Sequence, residues 1–469
     1  KDSKSTTRTM ATLLDSKSHL IPGKLQVTEL FFQVPRDYSN PSLGTIRVFA
    51  RSVIKHERTA GSVNGKGETE QKPWLLWLQG GPGKGCQPPQ ASGITKLILD
   101  RGYQMLYMDQ RGTGLSSPIT AETLALQGDT QAQADYLKLF RADSIVADCE
   151  AIRHVLTRNY PVELKKWRIW GQSFGGYCAL TYLSKYPQGL QEVFISAGMT
   201  AIGKGPDEVY GKAFKRMIER NEAYYEKFPE DIQTIHELVA HIDSKGSLPM
   251  PAGGVLTVQR FLTLGMVFGL SGGFDTVHDI VLRMRLELES FNLITRPTLS
   301  KIEAIGGYDD GVLYSVLRES IYNPRGPSDW AAERISTSLE EFRWVLDSTS
   351  ATKANLKVPL YFAGAMVFPF MFETFSELRK LRKVAEVIAQ YREWPDLFDE
   401  HQLAKNEVPV YAAVYVDDAQ VNFELAQESI KKVRNCKQYI TNTMYHDAVR
   451  TKTEQVVEAL FALRDDVMD

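Results

Sequence analysis

From Leu25 to Ile54 apolar and polar residues alternate around turn formers, as in TELFFQVP and GTIRVFARSV. That period of two predicts antiparallel strands opening a sheet. The segment that follows, ERTAGSVNGKGETEQK, is polar, glycine-containing and aperiodic, and reads as an exposed loop. Three short apolar runs come next: PWLLWL before QGGPG, YQMLYMD before QRGTG, and WRIW before GQSFGG. Continuous apolar runs of this length suit strands buried on both faces, as in a parallel sheet covered by helices. Between the second and third runs, DSIVADCEAIRHVL places Ile145, Cys149, Ile152 and Leu156 on one helical face. This supplies the crossover helix that a parallel pair requires. YCALTYLSKYP then reads as a helix and EVFISAG as the next strand.

From about Ile202 the pattern changes to long helical periods, such as VYGKAFKRMIERNEAYYEKF and DTVHDIVLRMRLELESF, until the strand-like VPVYAAVYVDD resumes at about Val408. The expected fold class is therefore α/β, a mostly parallel central sheet with helices on both faces and a large helical cap inserted. The expected division is 1–202 for the first part of the core, 203–405 for the cap and 406–469 for the rest of the core. No internal repeat or low-complexity tract interrupts this reading.

Composition narrows the partners. A chain of 469 residues, 43% hydrophobic, is long enough for a large core, and its net charge of −2 supplies no field to hold nucleic acid or an anionic membrane. Cys86, Cys149, Cys178 and Cys436 lie far apart, without the close pairing of a zinc or redox site, and are expected to be free thiols. The opening KDSKSTTRTMATLLDSKSHL is polar and basic, with no apolar stretch of signal-peptide length. The longest apolar run, Val358 to Phe372, is broken by Gly364 and Pro369 and falls short of the roughly 18 to 20 residues of a membrane span. A cytoplasmic protein without nucleic-acid or membrane partners is expected, its oligomeric state open.

GQSFGG has the form GxSxG, with a strand before it and a helix after it, as a nucleophile elbow requires. This assigns Ser173 as nucleophile in an α/β-hydrolase fold. A serine needs a base and an acid to orient that base, in chain order Ser, Asp or Glu, His. His446, after the strand-like QYITNT, is the histidine late enough for this order, whereas His401 lies before the last strands. The acid is expected just beyond VPVYAAVYV, where Asp417 and Asp418 stand side by side. Successive side chains point to opposite sides, so only one of the two reaches the imidazole, and Asp418 is favoured. Oxyanion donors are expected from the amides of Gly81, in QGGPG, and Phe174, the residue after the nucleophile. HELVAH is not a zinc-binding HExxH, because its histidines stand at 236 and 241, and the GTG of QRGTG lacks dinucleotide spacing. No metal or organic cofactor is implied.

QGGPG, DQRGTGLSSP and GQSFGG stand together in an order and spacing that resemble the proline iminopeptidase (prolyl aminopeptidase) family of serine peptidases. The helical insertion and the late PVYAAVYVDD and MYHDA segments look like the larger fungal and actinobacterial form. The resemblance implies removal of an N-terminal residue, typically proline, from a small peptide, with cap glutamates holding the free amine. Glu319, in LRESIYN, is similar to one of those glutamates. Three positions depart from the family pattern. Gln79 stands for the leading histidine of HGGPG, Lys84 follows GGPG where an aromatic is expected, and Ala365 in FAGAM replaces an acid. Lys84 and Ala365 fall where the family pattern meets substrate. They leave open a specialised esterase, lactonase or biosynthetic hydrolase or acyl transferase on the same fold, acting on a carboxylate-bearing substrate.

Overall fold

The computed structural model describes residues 10–56, 71–322 and 326–467. All but the last two residues of the loop expected at 57–72 lie outside that description. A nine-stranded sheet runs through the molecule in the order β1-β2-β3-β5-β4-β6-β7-β10-β11. β1 (Thr12–Ile21), β2 (Leu25–Pro35) and β3 (Thr45–Lys55) form the antiparallel opening. β3 also pairs antiparallel with β5 (Gln104–Met108). β4 (Trp74–Leu78), β6 (Trp167–Gln172) and β7 (Leu190–Ser196) then run parallel with β5. Between β7 and the return of the sheet, the only strands among the described residues are β8 (Leu248–Pro249) and β9 (Val255–Leu256), a short pair beside long helices such as Pro206–Lys227 and Gly273–Phe291. β10 (Val410–Tyr415) and β11 (Cys436–Thr441) complete the parallel part.

β4, β5 and β10 are buried along their whole length, which explains their unbroken apolar sequence. β1 is the opposite case, an edge strand exposed almost throughout. Its ladder to β2 gives it its conformation, so the polar text around SKSH carries no strand period. The crossover helix Ala142–Leu156 buries Ile145, Cys149 and Ile152 as expected, with Leu156 partly covered.

This strand order brings functional loops together. β4 and β6 are neighbours, with Leu78 opposite Gly171, so the QGGPG turn and the elbow leave the sheet side by side. β5 flanks β4, and β7, β10 and β11 continue from β6; the loops after β4, β6, β10 and β11 all contribute residues to one cavity at the carboxyl ends of the strands.

DQRG, after β5, braces that crevice. Gln110 donates from Nε2 to the Gln79 carbonyl oxygen (3.0 Å), and the Asp109 carboxylate accepts from the Cys86 and Leu115 amides (2.7 and 2.9 Å). Arg111 is fully buried, donating through Nε and Nη2 to Asp148 on the crossover helix (2.7 and 2.6 Å) and onward to the carbonyls of Pro35, Arg36 and Leu139. Arg111→Leu leaves the Asp148 carboxylate buried without its counter-ion. The variant is expected to lose roughly 3–5 kcal/mol of stability, measured as a lower denaturation midpoint.

Candidate active site

Ser173 sits between β6 and the helix Phe174–Lys185 with φ 54° and ψ −120°, a left-handed conformation that costs a non-glycine residue energy. Its amide donates to the Ser196 carbonyl (3.0 Å) and its carbonyl accepts from the Gly176 amide (2.7 Å), and these bonds hold the strained turn. Gly175 must lack a side chain, because a Cβ there would lie 1.9 Å from the Leu78 carbonyl oxygen of β4. The elbow can therefore press against β4 while the serine hydroxyl projects outward.

The hydroxyl meets a relay. His446 Nε2 lies 2.8 Å from Ser173 Oγ, and His446 Nδ1 lies 2.8 Å from Asp418 Oδ2. Asp418 is 1% exposed, and its other oxygen accepts the amides of Gln420 and Val421 (2.7 and 3.0 Å), so the carboxylate is fixed on both sides. Asp417 turns away, is partly exposed and lies 3.8 Å from Arg216. With Nδ1–H committed to Asp418, Nε2 is free to accept the serine proton.

Gly81 and Phe174 line the same cavity of about 360 Å³ as Ser173 and His446. Phe174 opens its helix, so its amide is one of those with no intrahelical acceptor. Gly81 has φ 145°, where a side chain would strain the backbone. Gln79, in place of a histidine, is held by Trp77 Nε1 at 2.8 Å.

The helical region between β7 and β10 reaches into the relay through a loop with no sequence signature. The Gly269 carbonyl accepts the His446 amide (3.1 Å), the Met266 carbonyl accepts from Gln420 Nε2 (3.0 Å), and Ser271 donates to Asp447. Met266 and Leu270 also line the cavity.

The three expected substrate residues are placed differently. Lys84 and Ala365 line the cavity. Lys84 also lines the neighbouring groove, with part of its side chain exposed. Desolvation in the cleft, and then the nearby Arg450 guanidinium, holds its amine below the usual lysine range. Glu319 is not among the residues that line this cavity. Its buried carboxylate accepts the amides of Ala331 and Ala332 (both 3.1 Å) at the start of the helix Ala331–Ser336. Burial raises its pKa, and those amides oppose the shift. The residue before it, Arg318, lines the cavity instead. In HELVAH, His236 is tied to the Val358 carbonyl (2.8 Å).

Fold and site together define a serine hydrolase of the α/β-hydrolase fold. The alpha/beta hydrolase fold family model matches residues 73–254. Over 460 residues the chain is 42% identical to the proline iminopeptidase aneH of Aspergillus aculeatus, covering 98% of each chain. It is 35% identical to the proline iminopeptidase of Aeromonas sobria, covering 97% of this chain and 100% of that one. The chain belongs to the proline iminopeptidase family. The crystal structure of a Mycobacterium smegmatis proline iminopeptidase aligns at 12% identity with a TM-score of 0.42, over 92% of this chain and 97% of that one.

Proposed function

We propose that the protein releases an N-terminal residue, proline foremost, from short peptides through an acyl-enzyme on Ser173. The observation that carries this reading is the unbroken relay Ser173–His446–Asp418, with both links at 2.8 Å, opening into a cavity sized for a small acyl group. His446 takes the proton as Ser173 Oγ attacks the prolyl carbonyl, and the amides of Gly81 and Phe174 receive the oxyanion. The imidazolium then protonates the leaving amine. Water attacks the acyl-enzyme with His446 again as base, releasing proline and restoring the serine. Cys86, Cys149, Cys178 and Cys436 are all free, which fits a reducing compartment such as the cytosol. No helix among the described residues is long and apolar enough to cross a membrane.

The test is turnover of proline 4-nitroanilide and of Pro-initiated dipeptides. Cleavage supports the reading. Protein that leaves both uncut while a fluorophosphonate still labels Ser173 sinks it.

One observation favours a second reading, an esterase, lactonase or acyl transferase on the same relay. Ala365 brings no carboxylate to the cavity and Glu319 is turned onto helix amides, so neither residue holds a substrate amine. Ala365→Glu supplies such a partner. In an Arg318→Gln background, which removes the guanidinium that bonds the Ala365 carbonyl, it is expected to raise kcat/KM for proline 4-nitroanilide about tenfold, the worth of one charged hydrogen bond. No gain at all argues that the missing acid at 365 is not what limits prolyl turnover.

A further inference from the structure

The cavity beside Ser173 contains a cation that the proposed chemistry leaves unused. Arg318 is 6% exposed and lines the cavity together with Tyr177 and Tyr314. Its guanidinium carries five donors and stays charged at any physiological pH. Among the described residues Nη2 donates to the Ala365 carbonyl (3.2 Å), while Nε is buried without any hydrogen-bond partner. The Tyr314 and Tyr322 rings lie 5.3 and 5.7 Å from the guanidinium carbon. Those ring faces attract a cation but accept none of its in-plane hydrogen bonds. The adjacent carboxylate, Glu319, is spent on Ala331 and Ala332.

A buried guanidinium with an unpaired donor and no counter-ion is costly, and the cost is recovered when an anion arrives. The rest of the lining has the same bias. Lys84 and Arg450 also line the cavity, whereas Asp447, an acid in that lining, already accepts two hydrogen bonds from Ser271. Lys84 and Arg450 further line a neighbouring groove of about 880 Å³, where Asp310 is the one acid among the lining residues.

We propose that Arg318 is the anion-binding residue of this cavity and pairs with a carboxylate on the substrate. This assignment rests on the prolyl reading for its choice of carboxylate. The acyl part of an N-terminal prolyl substrate is a pyrrolidinium with no anionic group, so the carboxylate belongs to the leaving residue. Dipeptides with a free C-terminus, or longer peptides with Asp or Glu in second place, are then the preferred substrates.

The experiment compares Pro-Ala with Pro-Ala amide on the whole protein, in wild type and in Arg318→Gln. Wild type is expected to favour the free acid about 10- to 100-fold in kcat/KM, mainly through KM, with the ratio falling to within about threefold in Arg318→Gln. A parallel measurement needs neither prolyl turnover nor a variant. N-acetylglycine should slow fluorophosphonate labelling of wild-type Ser173 where N-acetylglycinamide does not. Equal cleavage of the two peptides, together with equal protection by the two glycine probes, overturns the carboxylate site and leaves prolyl hydrolysis standing. If neither peptide is cut but N-acetylglycine alone protects, the carboxylate site stands and the prolyl reading falls. Equal cleavage of the peptides, with mono-4-nitrophenyl glutarate preferred over 4-nitrophenyl butyrate, puts the carboxylate on the acyl side and overturns the dipeptide assignment.

Discussion

Ser173→Ala is expected to lower kcat for prolyl substrates by roughly ten-thousand- to million-fold while leaving the fold almost unchanged. Among the described residues the hydroxyl makes one hydrogen bond, to His446 Nε2, so its removal deprives the relay of its nucleophile and disturbs little else. The strained backbone at φ 54° is held by the Ser196 and Gly176 main-chain bonds, which alanine retains. Residual turnover would come from water, oriented by His446 and aided by the amides of Gly81 and Phe174. Steady-state kinetics beside a thermal melt make the comparison. A melting temperature near wild type with a collapsed kcat fits, and turnover within tenfold of wild type excludes Ser173 as nucleophile.

Asp418→Asn is expected to cost about ten-thousand-fold in kcat, and the hydrogen bonds say why. One oxygen of Asp418 accepts two backbone amides, from Gln420 and Val421, and the other accepts His446 Nδ1–H. An asparagine must keep its carbonyl oxygen on the two amides, so its NH2 faces the ring. That forces Nδ1 to become the acceptor and moves the ring proton to Nε2, where it blocks transfer from Ser173. Asp417→Asn, at a partly exposed carboxylate beside Arg216, is expected to leave kcat within a few-fold of wild type. Equal losses at the two positions would contradict the assignment of the acid.

Much of this site is legible in the chain because of what a two-faced sheet demands. β4, β5, β6 and β10 are buried, so each leaves an apolar run in the text, and the functional loops are the turns that follow those runs. The elbow adds its own requirement, since backbone crossing within van der Waals reach of β4 admits only glycine at 175. Alternation of side chains leaving β10 separates Asp418, 2.8 Å from His446 Nδ1, from Asp417, which lies 3.8 Å from Arg216.

What stays hidden depends on partners far away in the chain. β1 takes its shape from the ladder to β2 and has no buried face to impose a period. The direction of Glu319 is set by a helix beginning at Ala331, so a motif around LRESIYN identifies the position but not where the carboxylate points. Arg318 goes unnoticed because a single arginine in a helical stretch carries no spacing signal, and only its burial marks it. The Met266–Ser271 loop is equally silent, its contribution being main-chain carbonyls and a serine that meet residues after β10 and β11.

A stepwise titration with a fluorophosphonate joins nucleophile and substrate in one plot, of remaining proline 4-nitroanilide turnover against the fraction of chains modified at Ser173 by peptide mass spectrometry. Turnover is predicted to fall in a straight line and reach zero when every Ser173 is modified. Prolyl turnover that persists in fully modified protein, or protein that labels completely yet never cleaved the prolyl substrate, would contradict it.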